Sequence, residues 1–175
     1  EYRIIKMRLF SIKPICGFLL VASAQAFAAQ PAQPVPLQQS NMSLNLENAL
    51  VEATMAACHA QGRSAVAAVI DRGGHLLSLQ RDDSVGPHNT DAAVKKAFTA
   101  LSSKTPSRIF AEKARKDPES TNLNTIDSLL LIGGGVPVKV GDEVIGAIGV
   151  GGAGGSVIDE GCALQAIDKV LGSTK

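Results

Sequence analysis

A glycine-rich segment near the carboxyl end carries the clearest chemical pattern in this sequence. Gly149, Gly151 and Gly154 have the G-x-G-x-x-G spacing of a dinucleotide fingerprint, between a predicted strand and a predicted helix. We expect no dinucleotide, because that fingerprint belongs to the first βαβ unit of a parallel sheet and this segment follows several predicted strands. Backbone without side chains at a helix start, around Gly151 and Gly152, favours binding of a carboxylate or phosphate. The alternative is that these glycines permit tight packing at a sheet edge or a subunit contact.

The three histidines are the next candidates for ligand chemistry. His59, His75 and His88 show no metal-ligand spacing. His88 follows Gly86-Pro87 in a predicted loop that leads into a helix, and loops on a rigid scaffold commonly hold ligands. His88 is therefore a candidate ligand-binding residue, and an exposed loop histidine is the alternative.

Basic side chains near His88 could bind an acidic ligand. Lys95, Lys96 and Thr99 lie on one predicted helix, which presents cations to a ligand if it lines the same cleft as Arg81. A solvated helix face is the alternative. No Ser-His-Asp set, nucleophile elbow or P-loop is present in the sequence, so enzymatic activity stays an open question.

The spacing of apolar residues and turn signals predicts an α+β domain. Helices packed on a five-stranded antiparallel sheet are expected, because successive strands joined by short turns must run antiparallel. A capping box at Ser156 and Asp159 is predicted to open the last helix, and Thr90 or Asp91 to cap the second. The predicted helices are 45–61, 92–102, 106–116 and 156–170, and the predicted strands are 65–70, 75–80, 128–132, 136–140 and 143–150.

The first part of the chain has the features of a secretory signal peptide. A basic region from Met7 precedes a short apolar run and the cleavage pattern Ala26-Phe27-Ala28. We predict a signal peptide with its leader at 1–28, a Pro/Gln-rich disordered spacer at 29–43 and a folded domain at 44–175. A periplasmic or secreted protein without a stable membrane anchor after cleavage is expected. In an oxidising compartment Cys58 and Cys162 could form one disulfide, or they could be two small buried hydrophobic residues.

Composition argues against one class of partner. The chain has 17 Lys plus Arg against 16 Asp plus Glu, only 3% aromatic residues and no Trp. Neither a basic field nor stacking platforms are available, so nucleic-acid binding is not expected.

Several ordered motifs resemble the GlcG/HbpS-like family. They include Asp71-Arg72-Gly73-Gly74-His75, Gly86-Pro87-His88 and Lys96-Ala97-Phe98-Thr99-Ala100, with further similarity at 134–138, 146–153 and 159–163. The resemblance covers about 44–170. It implies a profilin-like fold with a five-stranded sheet, assembly into homo-oligomers, and a pocket for a tetrapyrrole or a small acid.

Transferred to matching positions, the resemblance makes His88, Lys96 and Thr99 pocket candidates, with His88 as a ligand of haem iron. Arg81, Gly151 and Gly152 complete the predicted cofactor site by contacting the propionates. The family commonly has Ser where this chain has Gly151, so this chain lacks a hydroxyl group near the predicted pocket.

The leading hypothesis is a secreted or periplasmic haem-binding protein, with haem degradation as an extension. One alternative is an enzyme or binding protein for a small hydroxy or keto acid linked to glycolate-type metabolism. The other is a ligand-free oligomeric module whose glycines serve subunit packing.

Overall fold

A computed structural model describes residues 34–172. The predicted signal peptide, and the predicted spacer up to residue 33, lie outside the described residues. Residues 34–37 belong to a separate unit and carry neither helix nor strand. The elements are α1 (Leu44–His59), β1 (Val66–Asp71), β2 (Leu76–Arg81), α2 (His88–Ser103), α3 (Ser107–Lys116), a 3₁₀ helix (Pro118–Thr125), β3 (Gly135–Val140), β4 (Glu143–Gly151) and α4 (Ser156–Leu171).

The four strands of the described chain form one antiparallel sheet in the order β2-β1-β4-β3. The prediction of a fifth strand at 128–132 is wrong. The Leu130 N–H donates to Thr99 Oγ1, and the Ile132 carbonyl accepts from Ser107 Oγ, both at 2.8 Å. Because hydroxyl groups of α2 and α3 satisfy these backbone groups, the segment does not need a neighbouring strand.

Helices cover both faces of the sheet. Successive side chains of a strand point to opposite faces, and β1 is buried along its whole length. Val66, Ala68 and Ile70 face α2, whereas Ala67 and Val69 pack with α1 and α4 in the larger core. The fold is thus a three-layer α+β arrangement. β1 is apolar from Val66 to Ile70, as expected for a strand that is covered by helices on both faces.

Two glycines allow α2 to lie unusually close to the sheet. Gly135 and Gly149 are directly opposite each other on β3 and β4. A Cβ on Gly149 would overlap the Ala93 carbonyl oxygen, and one on Gly135 would overlap that of Lys96. At these two positions the glycines serve close packing of a helix on the sheet, a role that the sequence analysis did not predict.

The starts of α2 and α4 differ from the prediction. α2 begins at His88, with Pro87 as N-cap, so Thr90 and Asp91 lie inside the helix and do not cap it. α4 has Gly155 as N-cap and no side-chain cap, so the predicted capping box is also wrong. The Asp159 carboxylate instead accepts hydrogen bonds from the Ala153 N–H and from Lys96.

A disulfide ties the end of α1 to α4. It joins Cys58 and Cys162, whose Cα atoms are 5.3 Å apart and which are both fully buried. No helix within residues 34–172 combines the length and apolar character needed to cross a membrane.

Candidate functional site

One end of the sheet gathers most of the predicted ligand-binding residues. Arg81 is opposite Val66, and Val66 is opposite Gly151, so the end of β2, the start of β1 and the end of β4 form one row. α2 and α4, which follow β2 and β4 in the chain, both begin at this end of the sheet. We call this region the glycine-loop end, formed by Arg63, Arg81, His88, Asn89 and residues 151–155.

Register places Arg81 and Gly151 on the face that packs against α2. Residues directly opposite each other in antiparallel strands point to the same face, and Val66 between them packs with Ala93 of α2. Two strand spacings separate Arg81 from Gly151, or about 10 Å. Because both residues lie on the same face and at the same end of the sheet, one ligand can contact both of them.

His88 is exposed at the first position of α2. Its Nε2 lies 3.2 Å from the Asn89 Nδ2, which also donates to the Gly86 carbonyl at 3.3 Å. Asn89 connects His88 to the glycine segment, because a Cβ on Gly151 would lie 3.2 Å from the Asn89 Oδ1. The Asn89 side chain therefore lies between the imidazole and the glycine segment.

The backbone of residues 151–155 is shaped by glycine. Gly152, Gly154 and Gly155 have φ values of 82°, 122° and 129°, which L side chains rarely adopt. The chain then enters α4 without a side-chain cap, so N–H groups in the first turn are left for water or a ligand. A helix start of this kind favours anions.

Two guanidinium groups add positive charge here. Arg63 lies over the glycine segment, with Nη1 3.3 Å from the place that a Cβ on Gly154 would occupy. Arg63 and Arg81 are exposed, and neither side chain makes a hydrogen bond or ion pair within residues 34–172. By contrast, Arg108 is held by Glu160 and Glu112. Arg63 was not predicted from the sequence, because no local pattern marks it.

Lys96 and Thr99 do not present their side chains to a ligand at this end. Lys96 is buried, and its Nζ donates to Asp159 Oδ2 at 2.8 Å and to the Val150 carbonyl at 2.9 Å. Thr99 is fully buried; its Oγ1 donates to the Lys95 carbonyl and accepts from Leu130. Their face of α2 is turned towards the interior, so these side chains have protein partners rather than access to a ligand.

His59 is hydrogen-bonded to an acidic side chain of the protein. Its Nε2 is 2.8 Å from Asp82 Oδ2, which also accepts the Ala65 N–H at 2.8 Å. Partial burial tends to raise the pKa of Asp82, but the hydrogen bonds from Ala65 and His59 outweigh it and lower that pKa. Asp82 is thus a carboxylate, and its hydrogen bond occupies the His59 Nε2 that a ligand would need.

The described residues contain no group of three or more His, Cys, Asp or Glu side chains suited to a metal ion. Haem differs from a bare ion because its iron arrives with four porphyrin nitrogens and needs only an axial side chain from the protein. The donor set of the glycine-loop end, one imidazole with two guanidinium groups, fits such a group with its carboxylates.

Known proteins resemble this chain along most of its described length. Protein GlcG of Escherichia coli K12 is 32% identical over 109 residues, covering 62% of this chain and 80% of GlcG. A crystal structure of a double mutant of HbpS from Streptomyces reticuli is 30% identical with a TM-score of 0.72, covering 82% of this chain and 98% of HbpS. Protein ORFY of Klebsiella pneumoniae is 26% identical with a TM-score of 0.75, covering 81% of this chain and 98% of ORFY.

A more distant structure supports the fold alone. The PduOC:heme complex is 21% identical with a TM-score of 0.66, and it covers 73% of this chain and 93% of PduOC.

Residues 42–168 match the family described as "Haem degrading protein HbpS-like". The chain therefore belongs to the HbpS-like family.

Proposed function

We propose that this protein binds haem at the glycine-loop end. The observation that carries the proposal is the placement of an exposed imidazole, His88, at the same end of the sheet as the exposed glycines of residues 152–155. Two guanidinium groups, Arg63 and Arg81, lie at this end and have no partner within residues 34–172. Membership of a family described as haem degrading supports the same ligand.

His88 would hold the haem iron through its imidazole. Its Nε2 now faces the Asn89 amide, so ligation through Nε2 requires the exposed ring to rotate away from that contact. Giving up one exposed hydrogen bond costs about 1 kcal/mol. An iron–imidazole bond readily offsets this cost, and no core packing has to change because the ring is outside the core.

Arg63 and Arg81 are the proposed partners of the propionates. A guanidinium group presents paired N–H donors that match a carboxylate, and both side chains are free to reorient. The uncapped start of α4 adds backbone N–H donors behind the glycine segment. Bound haem would supply the porphyrin and its iron, and the imidazole and guanidinium groups of the protein would hold it by ligation and by charge.

Titration of the full chain with hemin tests the proposal. We expect a saturable Soret shift at about one hemin per chain, strongly weakened in His88→Ala. His75→Ala is the matched control, since His75 is also exposed but stands in the β1–β2 turn at the opposite end of the sheet. An unshifted Soret band with the wild type, or equal binding by His88→Ala, would refute the proposal.

A small carboxylic acid is the second candidate ligand, because the same guanidinium groups and helix start suit it. The similarity to GlcG favours keeping this candidate. Thermal melting separates the two ligands: a ligand that binds only the folded state raises the melting temperature. A rise with glycolate and none with hemin would replace haem by the small acid.

Export, haem degradation and homo-oligomer formation are further parts of the proposal. The predicted signal peptide supports export, as does the Cys58–Cys162 disulfide, which is typical of oxidising compartments. Cell fractionation tests export, and light scattering tests assembly. A loss of hemin absorbance when a reductant and oxygen are supplied would support degradation.

A further inference from the structure

A cavity of about 430 Å³ lies at the opposite end of the sheet from the glycine-loop end. It is bounded by the second half of α2, the β1–β2 turn and the β3–β4 turn. Its volume is in the range of small-molecule sites. The lining residues are Arg72, Gly73, Phe98, Leu101, Ser102, Lys104, Asp142, Glu143 and Val144.

The apolar wall of the cavity comes from Phe98 and Leu101. Phe98 Cε2 lies 2.8 Å from the place that a Cβ on Gly74 would occupy, and Gly74 has a φ of 82°. A glycine in this turn therefore lets the aromatic ring reach the turn backbone. The exposed side of such a wall suits a hydrocarbon group of modest size.

Lys104 supplies an unpaired positive charge from an unusual backbone conformation. Its φ of 52° makes it the only non-glycine residue with a positive φ within residues 34–172. Glycine is the residue favoured at this position after a helix, and another L residue costs about 1 kcal/mol there. The Lys104 side chain makes no hydrogen bond or ion pair in the described part of the chain, so its ammonium group is available to a ligand there.

The other charges leave one acid available. Arg72 Nη1 donates to the carbonyls of Ser40 and Val144, each at 3.3 Å, and lies 3.8 Å from Glu143 Oε2. Arg72 and Glu143 are thus occupied with each other and with the backbone. Asp142 has no such partner within residues 34–172, so the cavity presents one free ammonium group and one free carboxylate beside an apolar wall.

We propose that this cavity binds a small zwitterion with an apolar body, of which an apolar α-amino acid is the simplest case. Its carboxylate pairs with Lys104, its ammonium group pairs with Asp142, and its side chain lies on Phe98 and Leu101. The proposal is independent of haem binding, because the two sites are at opposite ends of the sheet.

Backbone amide NMR of the full chain tests the site with L-phenylalanine as the probe. We expect saturable shifts at Phe98, Leu101 and Lys104 below about 10 mM ligand, a concentration at which weak specific sites fill. 3-Phenylpropionate lacks the ammonium group and phenethylamine lacks the carboxylate, so each should bind about tenfold more weakly, the effect of one lost charge-assisted contact.

Two variants assign the charges. Lys104→Gly should weaken L-phenylalanine about tenfold and leave phenethylamine unaffected, without lowering the melting temperature, because glycine suits the backbone at this position. Asp142→Asn should weaken L-phenylalanine and leave 3-phenylpropionate unaffected. Lys113→Gln, which changes an exposed lysine of α3 outside the cavity, is the control. The absence of saturable shifts in the wild type, or unchanged binding by both cavity variants, would overturn the proposal.

Discussion

Glu47 should make the free energy of unfolding fall as the pH rises towards neutrality. This side chain in the first part of α1 is fully buried, and neither carboxylate oxygen has a hydrogen-bond partner in the described residues. Burial, with a smaller contribution from the charge of Asp71, raises the pKa of Glu47 from 4.5 to about 7. The folded state therefore favours the protonated form.

The sign and size of the effect follow from proton linkage. Between pH 4.5 and about pH 7 the folded state binds more protons than the unfolded state, so stability decreases with rising pH. Ionising Glu47 inside the fold accounts for about 2 kcal/mol between pH 5 and pH 8, after allowance for solvent screening of the neighbouring Asp71 charge. Below pH 4.5 this cost is absent.

Urea unfolding of the wild type and Glu47→Gln at pH 5 and pH 8 measures this cost. The variant should gain about 2 kcal/mol relative to the wild type between the two pH values, because glutamine cannot ionise. Glu52→Gln, an exposed change in the same helix, is the control and should leave the pH dependence intact. Parallel pH profiles for the wild type and Glu47→Gln would refute the reasoning.

Three further changes test the interior. Lys96→Met leaves the buried Asp159 without its cation, so the free energy of unfolding measured in urea should fall by about 3 kcal/mol or more. Adding Asp159→Leu should recover much of this loss. No recovery would contradict a paired role for the two residues. Gly149→Ala should lower the free energy of unfolding by at least about 2 kcal/mol, because the added Cβ pushes α2 away from the sheet. Gly161→Ala is the control and should not destabilise the protein, because open space surrounds that position on α4. Replacing Cys58 and Cys162 by alanine removes a disulfide between residues 104 apart in the chain, so the free energy of unfolding should fall by about 4 kcal/mol. Equal melting temperatures of the wild type with and without reductant would contradict this.

Local patterns in the sequence predicted the hairpin and most helices well. Apolar runs on either side of Asp71-Arg72-Gly73-Gly74 specify β1 and β2, because turn chemistry and strand pattern agree there. The failure at 128–132 has a tertiary cause. Its apolar run suits a strand, but hydroxyl groups of Thr99 and Ser107, distant in the chain, take its backbone hydrogen bonds.

The candidate site was predictable only in part. The Gly-Pro-His motif led to His88, and the register of the sheet then brings Arg81 and Gly151 to the same end. Lys96 resembled an ordinary helix-surface lysine, because its partner Asp159 is 63 residues away in the chain and no local pattern links the two. Arg63 and the unpartnered Glu47 likewise depend on tertiary contacts that spacing does not encode.

The location of bound hemin is the most direct test of the central claim. Ferric haem is paramagnetic and broadens amide signals near it, so backbone NMR of the wild-type chain with hemin maps the site without a mutation. We predict broadening at Gly86, His88 and Asn89, at Arg63 and Arg81, and across 151–155, with no broadening at the cavity lined by Phe98. Broadening centred on the Phe98 cavity, or none at the glycine-loop end, would contradict haem binding beside His88.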